Sequence, residues 1–309
     1  MRGDLLARLQ LLGAALLFST GGVAIKACQL GDWQIASFRC GVGALVLWLL
    51  LPAARRRWSP QVVAVALAYA ATLLLYALAN KATTAANAIF LQSSAPLYLL
   101  LAAPLVLGER IRRRDVAFAL VMAGGLLLFF LGEQTASATA PAPLRGNLFA
   151  ASAGVTWAAT VLGLRWLASS ADRPRRGEQS ADLAVTAVFA GNVLGFLLPL
   201  PLALPVMEAR AVDWLWLAFL GVFQVALAYV LMTRGLRGVP AFEASILLLV
   251  EPVLNPLWTW ALHGEVPARA ALLGGVLILG ATTVKTGLDA RRLARDAVAG
   301  PHLAEEPSA

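Results

Sequence analysis

The chain has 309 residues, of which 60% are hydrophobic and 14% charged, and its mean hydropathy is +0.75. A soluble globular domain carries charge on about a quarter of its residues, so that class is excluded and an integral membrane protein remains. The net charge of +8 would suit a nucleic-acid partner, but the basic residues lie between apolar runs, and no nucleic acid is expected.

Ten apolar stretches follow in chain order: 5–26, 33–53, 61–80, 84–107, 115–132, 146–168, 181–203, 212–233, 240–262 and 268–287. Each is of the order of 20 residues, which as a helix spans a hydrocarbon core of about 30 Å. Lipid offers the backbone no partners, so spanning segments are helices or closed barrels. Runs such as LLLYALAN and VFQVALAYVLM do not alternate as barrel strands would. The predicted fold is all-α integral membrane with ten transmembrane helices. The first stretch runs directly into a second apolar one and reads as a span rather than a cleaved signal.

With the N-terminus placed in the cytoplasm, 19 of the 25 basic residues fall on the cytoplasmic side. Only Lys26, Lys81, Arg145, Arg210 and Arg269 fall outside, and Arg39 lies within the second stretch. The positive-inside rule then predicts both termini in the cytoplasm. A missed or extra helix would scramble this alternation.

Shifting the sequence by 156 residues lays the fourth stretch on the ninth: AANAIFLQSSAPLYLLLAAPLVLGER (85–110) meets AFEASILLLVEPVLNPLWTWALHGEV (241–266). Pro96 falls on Pro252, Gly108-Glu109 on Gly264-Glu265, and, beyond the segment, Gly124 on Gly280. Shared composition can match alanines and leucines, but not a mid-helix proline and a Gly-Glu pair at one offset. Five stretches per copy is an odd number, so the second copy enters from the opposite face. Two inverted five-helix repeats are predicted, an architecture that places a site near the midplane between the halves.

These blocks resemble the EamA-type branch of the drug/metabolite transporter superfamily. The resemblance rests on TTAANAIFLQSSAPLYLLLAAPLVLGERI in the first copy and FQVALAYVLMTRGLRGVPAFEASILLLVEPVLNPLWTWALHGE in the second. The expected division is a first repeat over 8–132, an external linker over 133–145, a second repeat over 146–287 and a cytoplasmic tail over 288–309. His263 departs from the family's pattern, which has leucine there. Family members export amino acids, nucleobase-like metabolites or drugs. The resemblance therefore implies a secondary transporter, an exporter of small metabolites by alternating access, in a bacterial plasma membrane.

Glu251 stands at the middle of the ninth stretch, where a carboxylate costs roughly 2.5–3.5 kcal/mol and so faces a cavity or a partner. Pro252 and Pro256 each remove a backbone hydrogen bond beside it, and the freed carbonyls need protein or water around them. Helical spacing puts Glu243, Glu251, Asn255 and Thr259 on one face. Glu251 is then either a substrate or proton site, with a proton as coupling ion, or a protonated carboxyl bonding a neighbouring helix. The fourth stretch repeats the proline as Pro96 but has Ala95 in place of the acid. Its polar residues are Asn87, Gln92, Ser94 and Tyr98, of which Tyr98 is the binding candidate and Ser94 lies one turn from it.

Gln224, midway along the eighth stretch, and Trp157, at the centre of the sixth, are further cavity candidates. The resemblance implies that the first and sixth helices line the cavity, adding Ser19, Thr20 and Thr156. Arg39 either snorkels to the outer surface or contacts a substrate anion. Gly191 and Gly195 are spaced for close helix packing. Glu109, Glu265 and His263, at helix ends, read as interfacial. Cys28 and Cys40 share no metal-ligand spacing and read as packing residues. The expected cavity lies between the first, third, fourth, sixth, eighth and ninth helices, takes a small-molecule substrate, and needs no metal or cofactor.

Two other classes compete with transport. An intramembrane enzyme would need a buried aspartyl pair or a mid-membrane histidine set, and the aspartates lie at stretch ends or in loops. A non-transporting scaffold or sensor is the other alternative, and polar residues gathered at the midplane favour a pathway over it.

Overall fold

Caps and prolines set the helix boundaries in the computed structural model, which describes residues 2–107, 113–131, 136–169, 177–235 and 247–299. Helix α1 (Arg2–Ser19) resumes after Thr20 as Gly21–Ala27, and α2 is Asp32–Leu50. Pro60 opens α3 (Pro60–Ala82), with Ser59 accepting from the Val62 N–H. Thr84 caps α4 in the same way through Asn87. α4 has two parts, Ala85–Gln92 and Ala95–Leu107. Then follow α5 (Arg113–Leu131), α6 (Pro143–Ser169) and α7 (Gly177–Leu197). α8 comprises Ala211–Phe219, a π-helical segment Leu220–Leu227 and Ala228–Gly235. α9 is Val250–His263 and α10 is Arg269–Ala299. Among the described residues the only β pairing is an isolated bridge between Ser137 and Ala140.

Eight of these segments are long and apolar enough to cross a membrane: Leu5–Ala27, Asp32–Leu50, Pro60–Ala82, Ala85–Ala102, Arg113–Leu131, Pro143–Leu164, Ala211–Met232 and Arg269–Leu288. α7 contributes the shorter apolar helix Leu183–Leu197, and α9 has 14 residues. The chain is helical over its described residues apart from short connections, which suits a multi-pass membrane protein of the helical class.

The helix expected over 84–107 is interrupted by a turn at Ser93-Ser94, and α9 is preceded by a turn at Leu249. Positions 93 and 249 are 156 apart, the offset of the sequence repeat. In each copy the proline that follows (Pro96, Pro252) has no N–H for the carbonyl four residues earlier. At the first break the Ser93 hydroxyl donates to the Ile89 carbonyl at 2.7 Å and the Ser94 hydroxyl to that of Leu91 at 2.6 Å, each beside the same residue's own N–H. At the C-terminal end α10 continues unbroken from the tenth apolar stretch to Ala299, with no glycine or proline between 288 and Gly300-Pro301.

α3 is the central helix and lies against α6 and α7; α2 crosses α7 and α8, α1 meets α8 and α9, and α5 pairs with α10. Small residues permit the closest approaches. A Cβ added to Gly191 would lie 2.5 Å from the Tyr69 ring and 2.9 Å from the Ala66 carbonyl, and one at Gly195 would lie 3.0 Å from Cys40 Sγ. Gly191→Val should therefore cost about 1–3 kcal/mol by overpacking, read as a lower unfolding temperature in detergent. Gly124→Ala and Gly280→Ala, with nothing within 4 Å of the added methyl, should cost nothing.

Candidate functional site

The interruptions of α4 and α9 face a common cavity of about 230 Å³. That is just below the range of roughly 300–1,000 Å³ typical of ligand sites, so it suits a small molecule. Its polar wall is built from Arg39 on α2, Thr72 and Tyr76 on α3, and Gln92 and Ser93 on α4. Trp157 on α6, Gln224 and Tyr229 on α8 and Glu251 on α9 complete it, with Pro96 and Pro252 at the two breaks. Phe18 of α1 and Thr282 of α10 also contribute. The six helices expected to line the cavity all do so, joined by α2 and α10.

Arg39 does not snorkel: it is fully buried. Its Nη1 is 3.5 Å from Gln224 Oε1 and its Nη2 donates to the Leu73 carbonyl, while Nε has no partner. The physical reason is the crossing of α2 with α7 and α8, which encloses this level and substitutes protein acceptors for surface water. Gln224 lies within the π-helical segment of α8. A π turn widens the helix locally and recurs at functional sites. Glu251 is half-buried on the opposite element, and among the described residues no hydrogen bond or ion pair engages its carboxyl. Tyr76 and Tyr229 each stand in the electrostatic field of both Arg39 and Glu251. Tyr229 is held edge-on by Phe18 at 5.2 Å and by Tyr69 at 5.3 Å between ring centroids.

Other candidates sit behind the wall. Asn255 is fully buried and donates from Nδ2 to the Tyr76 hydroxyl at 2.9 Å, so it orients a cavity residue without lining the cavity. Thr259 and Pro256 are buried on the same helix, and Glu243 falls outside the described residues. Ser94 is buried and spent on the Leu91 carbonyl, and Tyr98 packs where Gly154 of α6 leaves room, so neither faces the cavity. Thr20 donates to the Leu17 carbonyl at 2.6 Å, at the break in α1. Ser19 accepts from Trp258 Nε1 at 2.9 Å, and Thr156 bonds Thr72 at 2.9 Å. Glu265 is not interfacial but buried in an ion pair with Lys26. His263 is half-buried with Nε2 3.0 Å from the Val23 carbonyl. Sequence reasoning missed Tyr76 and Tyr229, although a tyrosine deep in LLLYALAN or VALAYVLM needs a hydroxyl partner and so signals a polar interior.

Apolar helices of spanning length enclosing a central cavity with a few polar groups are the arrangement of a multi-pass membrane protein with an internal site. The sequence matches the EamA-like transporter family over residues 2–131 and 144–286, and the chain belongs to that family. The pseudopaline exporter CntI of Pseudomonas aeruginosa (strain UCBPP-PA14) is 28% identical over 274 residues, covering 86% of this chain and 90% of that protein. An uncharacterized transporter of Archaeoglobus fulgidus is 37% identical over 73 residues, 24% of this chain and 27% of that protein. A solved crystal structure shares the fold with a TM-score of 0.59 and 23% identity, covering 93% of this chain and 98% of that one.

The Asn255–Tyr76 bond gives a direct stability test. Asn255→Ala removes a hydrogen-bond partner of the buried Tyr76 hydroxyl and should lower stability by about 1 kcal/mol in thermal unfolding. In the Tyr76→Phe background, where that hydroxyl is gone, the same substitution should cost measurably less.

Proposed function

We propose that the protein is a secondary transporter that exports a small dipolar metabolite across a bacterial plasma membrane by alternating access, and is not an enzyme. In this reading α1–α10 each cross the membrane, as two inverted five-helix repeats with both termini cytoplasmic. The observation that carries the proposal is the cavity at the paired helix breaks, with a guanidinium on one side and an unengaged carboxyl on the other. Such a pair favours cargo with a carboxylate and an ammonium group, amino-acid-like in its charges, over neutral nucleobase-like compounds. The family membership and the relative named as a pseudopaline exporter support outward movement of a small molecule.

Coupling follows from the same geometry. Ionised Glu251 can receive the ammonium end of the cargo or a proton, but not both. Competition for one carboxyl is the elementary requirement for exchanging cargo against protons. The site residues of the proposal are Glu251, Arg39, Gln224, Trp157, Tyr76 and Tyr229, with Asn255 as a positioning residue.

Purified protein in liposomes, assayed with labelled amino acids and nucleobases with and without a pH gradient, tests substrate and coupling together. Glu251→Gln should yield a folded protein whose transport no longer responds to pH. If it matches the parent over a range of pH, Glu251 is structural and facilitated diffusion becomes the better account. Orientation is tested separately with reporter fusions. Those after about residues 57, 114, 176, 237 and 295 should read cytoplasmic and those near 140 and 208 external, and a cytoplasmic reading near 140 would overturn the inverted repeat.

A further inference from the structure

At the end of the bundle where α1, α3 and α9 finish, an ion pair outside the cavity ties the elements together. Lys26 Nζ lies 2.9 Å from Glu265 Oε2, with the two side chains 4% and 3% exposed. The ammonium also donates to the carbonyl of Thr83, at 2.9 Å in the turn between α3 and α4, and to that of Thr139, at 2.5 Å in the segment before α6. Glu265 Oε1 accepts the backbone N–H of Ala85, the first residue of α4, at 2.6 Å. A carboxylate at a helix N-terminus is favoured by the helix dipole as well as by the bond. Gly264, in the left-handed region at φ 64°, makes the turn that ends α9 just before Glu265. One ammonium and one carboxylate thus join four segments of chain.

Between this pair and the cavity the helices close around Gly22. A Cβ there would lie 2.4 Å from Asn255 Oδ1, 2.9 Å from the Ala85 Cβ and 3.1 Å from Asn80 Oδ1. Asn255 is one turn along α9 from Glu251, so the seal begins directly above the site.

We infer that the Lys26–Glu265 pair is a lock: while it holds, the cavity is sealed at this end, and its parting opens the cavity to the outside. The inference rests on the alternating-access reading above and on its orientation. An exposed ion pair holds too weakly for such a role. This pair is desolvated, so losing one member leaves the other as an uncompensated buried charge. It is also breakable, because every group it joins can be taken over by water once the end of the bundle parts.

Cys28, two residues past Lys26, is fully buried and free, and it reports on this end without added chemistry. In a Cys40→Ala background it is the only thiol of the chain. The rate at which a membrane-impermeant maleimide labels Cys28 is measured in right-side-out and inside-out vesicles. The double variant Lys26→Gln with Glu265→Gln removes both charges together and keeps an acceptor for the Ala85 N–H. In right-side-out vesicles it should label at least tenfold faster than the parent, whereas Lys26→Arg, which keeps the charge, should stay slow. Glu265→Gln alone, expected to label faster as well, serves if the double variant does not fold. Equal rates in the parent and the neutralised variants overturn the lock. Acceleration confined to inside-out vesicles overturns the orientation on which the inference rests, a result distinct from failure of the pair itself.

Discussion

The constraint on which the structure depends is that a backbone carbonyl at bilayer depth must be satisfied without lipid's help. Pro96 and Pro252 each free a carbonyl by lacking an N–H, and the chain breaks at the turn before each of them. Hydroxyls of Ser93 and Ser94 take up neighbouring carbonyls on α4. The breaks cannot face hydrocarbon, so they face each other's side of the bundle, and the space between them is the cavity. The location of the site is in this sense a consequence of two prolines.

The buried charges divide by how completely they are compensated. Lys26 has a carboxylate and two carbonyls; Lys285 has Asp115 at 2.8 Å. Arg39 has one carbonyl and a long contact to an amide, and its Nε is unpartnered. Glu251 has tyrosines and a tryptophan around a shared cavity and no counter-ion among the described residues. Glu265 is matched by a counter-ion and a backbone N–H, whereas Glu251 faces the cavity, which sets the two carboxyls apart although one helix leads to both.

Much of this was legible in the sequence, because hydrophobic length and charge asymmetry are additive along the chain and need no knowledge of packing. Pro96 and Pro252 are each preceded by a turn, at positions 156 apart. Pro256, expected as a third helix break, instead lies inside the continuous α9, because one missing N–H within a packed helix does not by itself end it. What the sequence could not give was which side a residue faces when its helix is enclosed all round. Arg39 lies about two turns from a helix end, and only the crossing of α2 with α7 and α8 decides that it stays inside. Tyr98 and Ser94 are polar residues on a cavity helix, yet Gly154 and the Leu91 carbonyl claim them. The π-helical segment around Gln224 has no signature in the apolar run that contains it. The place of Glu265 beside a helix-ending glycine predicts an interfacial side chain. That same glycine's left-handed turn leads directly into the buried pair with Lys26 and the first N–H of α4.

α9 is the element through which the cavity and the closed end of the bundle share a mechanical fate. It carries Glu251 in its first turn and ends at His263, with Gly264 capping it just before Glu265, a span of about 20 Å at 1.5 Å per residue. Between them Asn255 holds Tyr76 of α3 and lies against Gly22 of α1, and Trp258 holds Ser19 of α1. Movement of α9 at the level of Glu251 must therefore disturb polar contacts to α1 and α3, because helices packed this closely shift as units rather than deform. Spatial continuity of this kind is not itself evidence of energetic coupling. It does restrict the routes available: under the proposed cycle, occupancy of Glu251 reaches Lys26 either along α9 or through α1, and Gly22 is the point at which both routes meet.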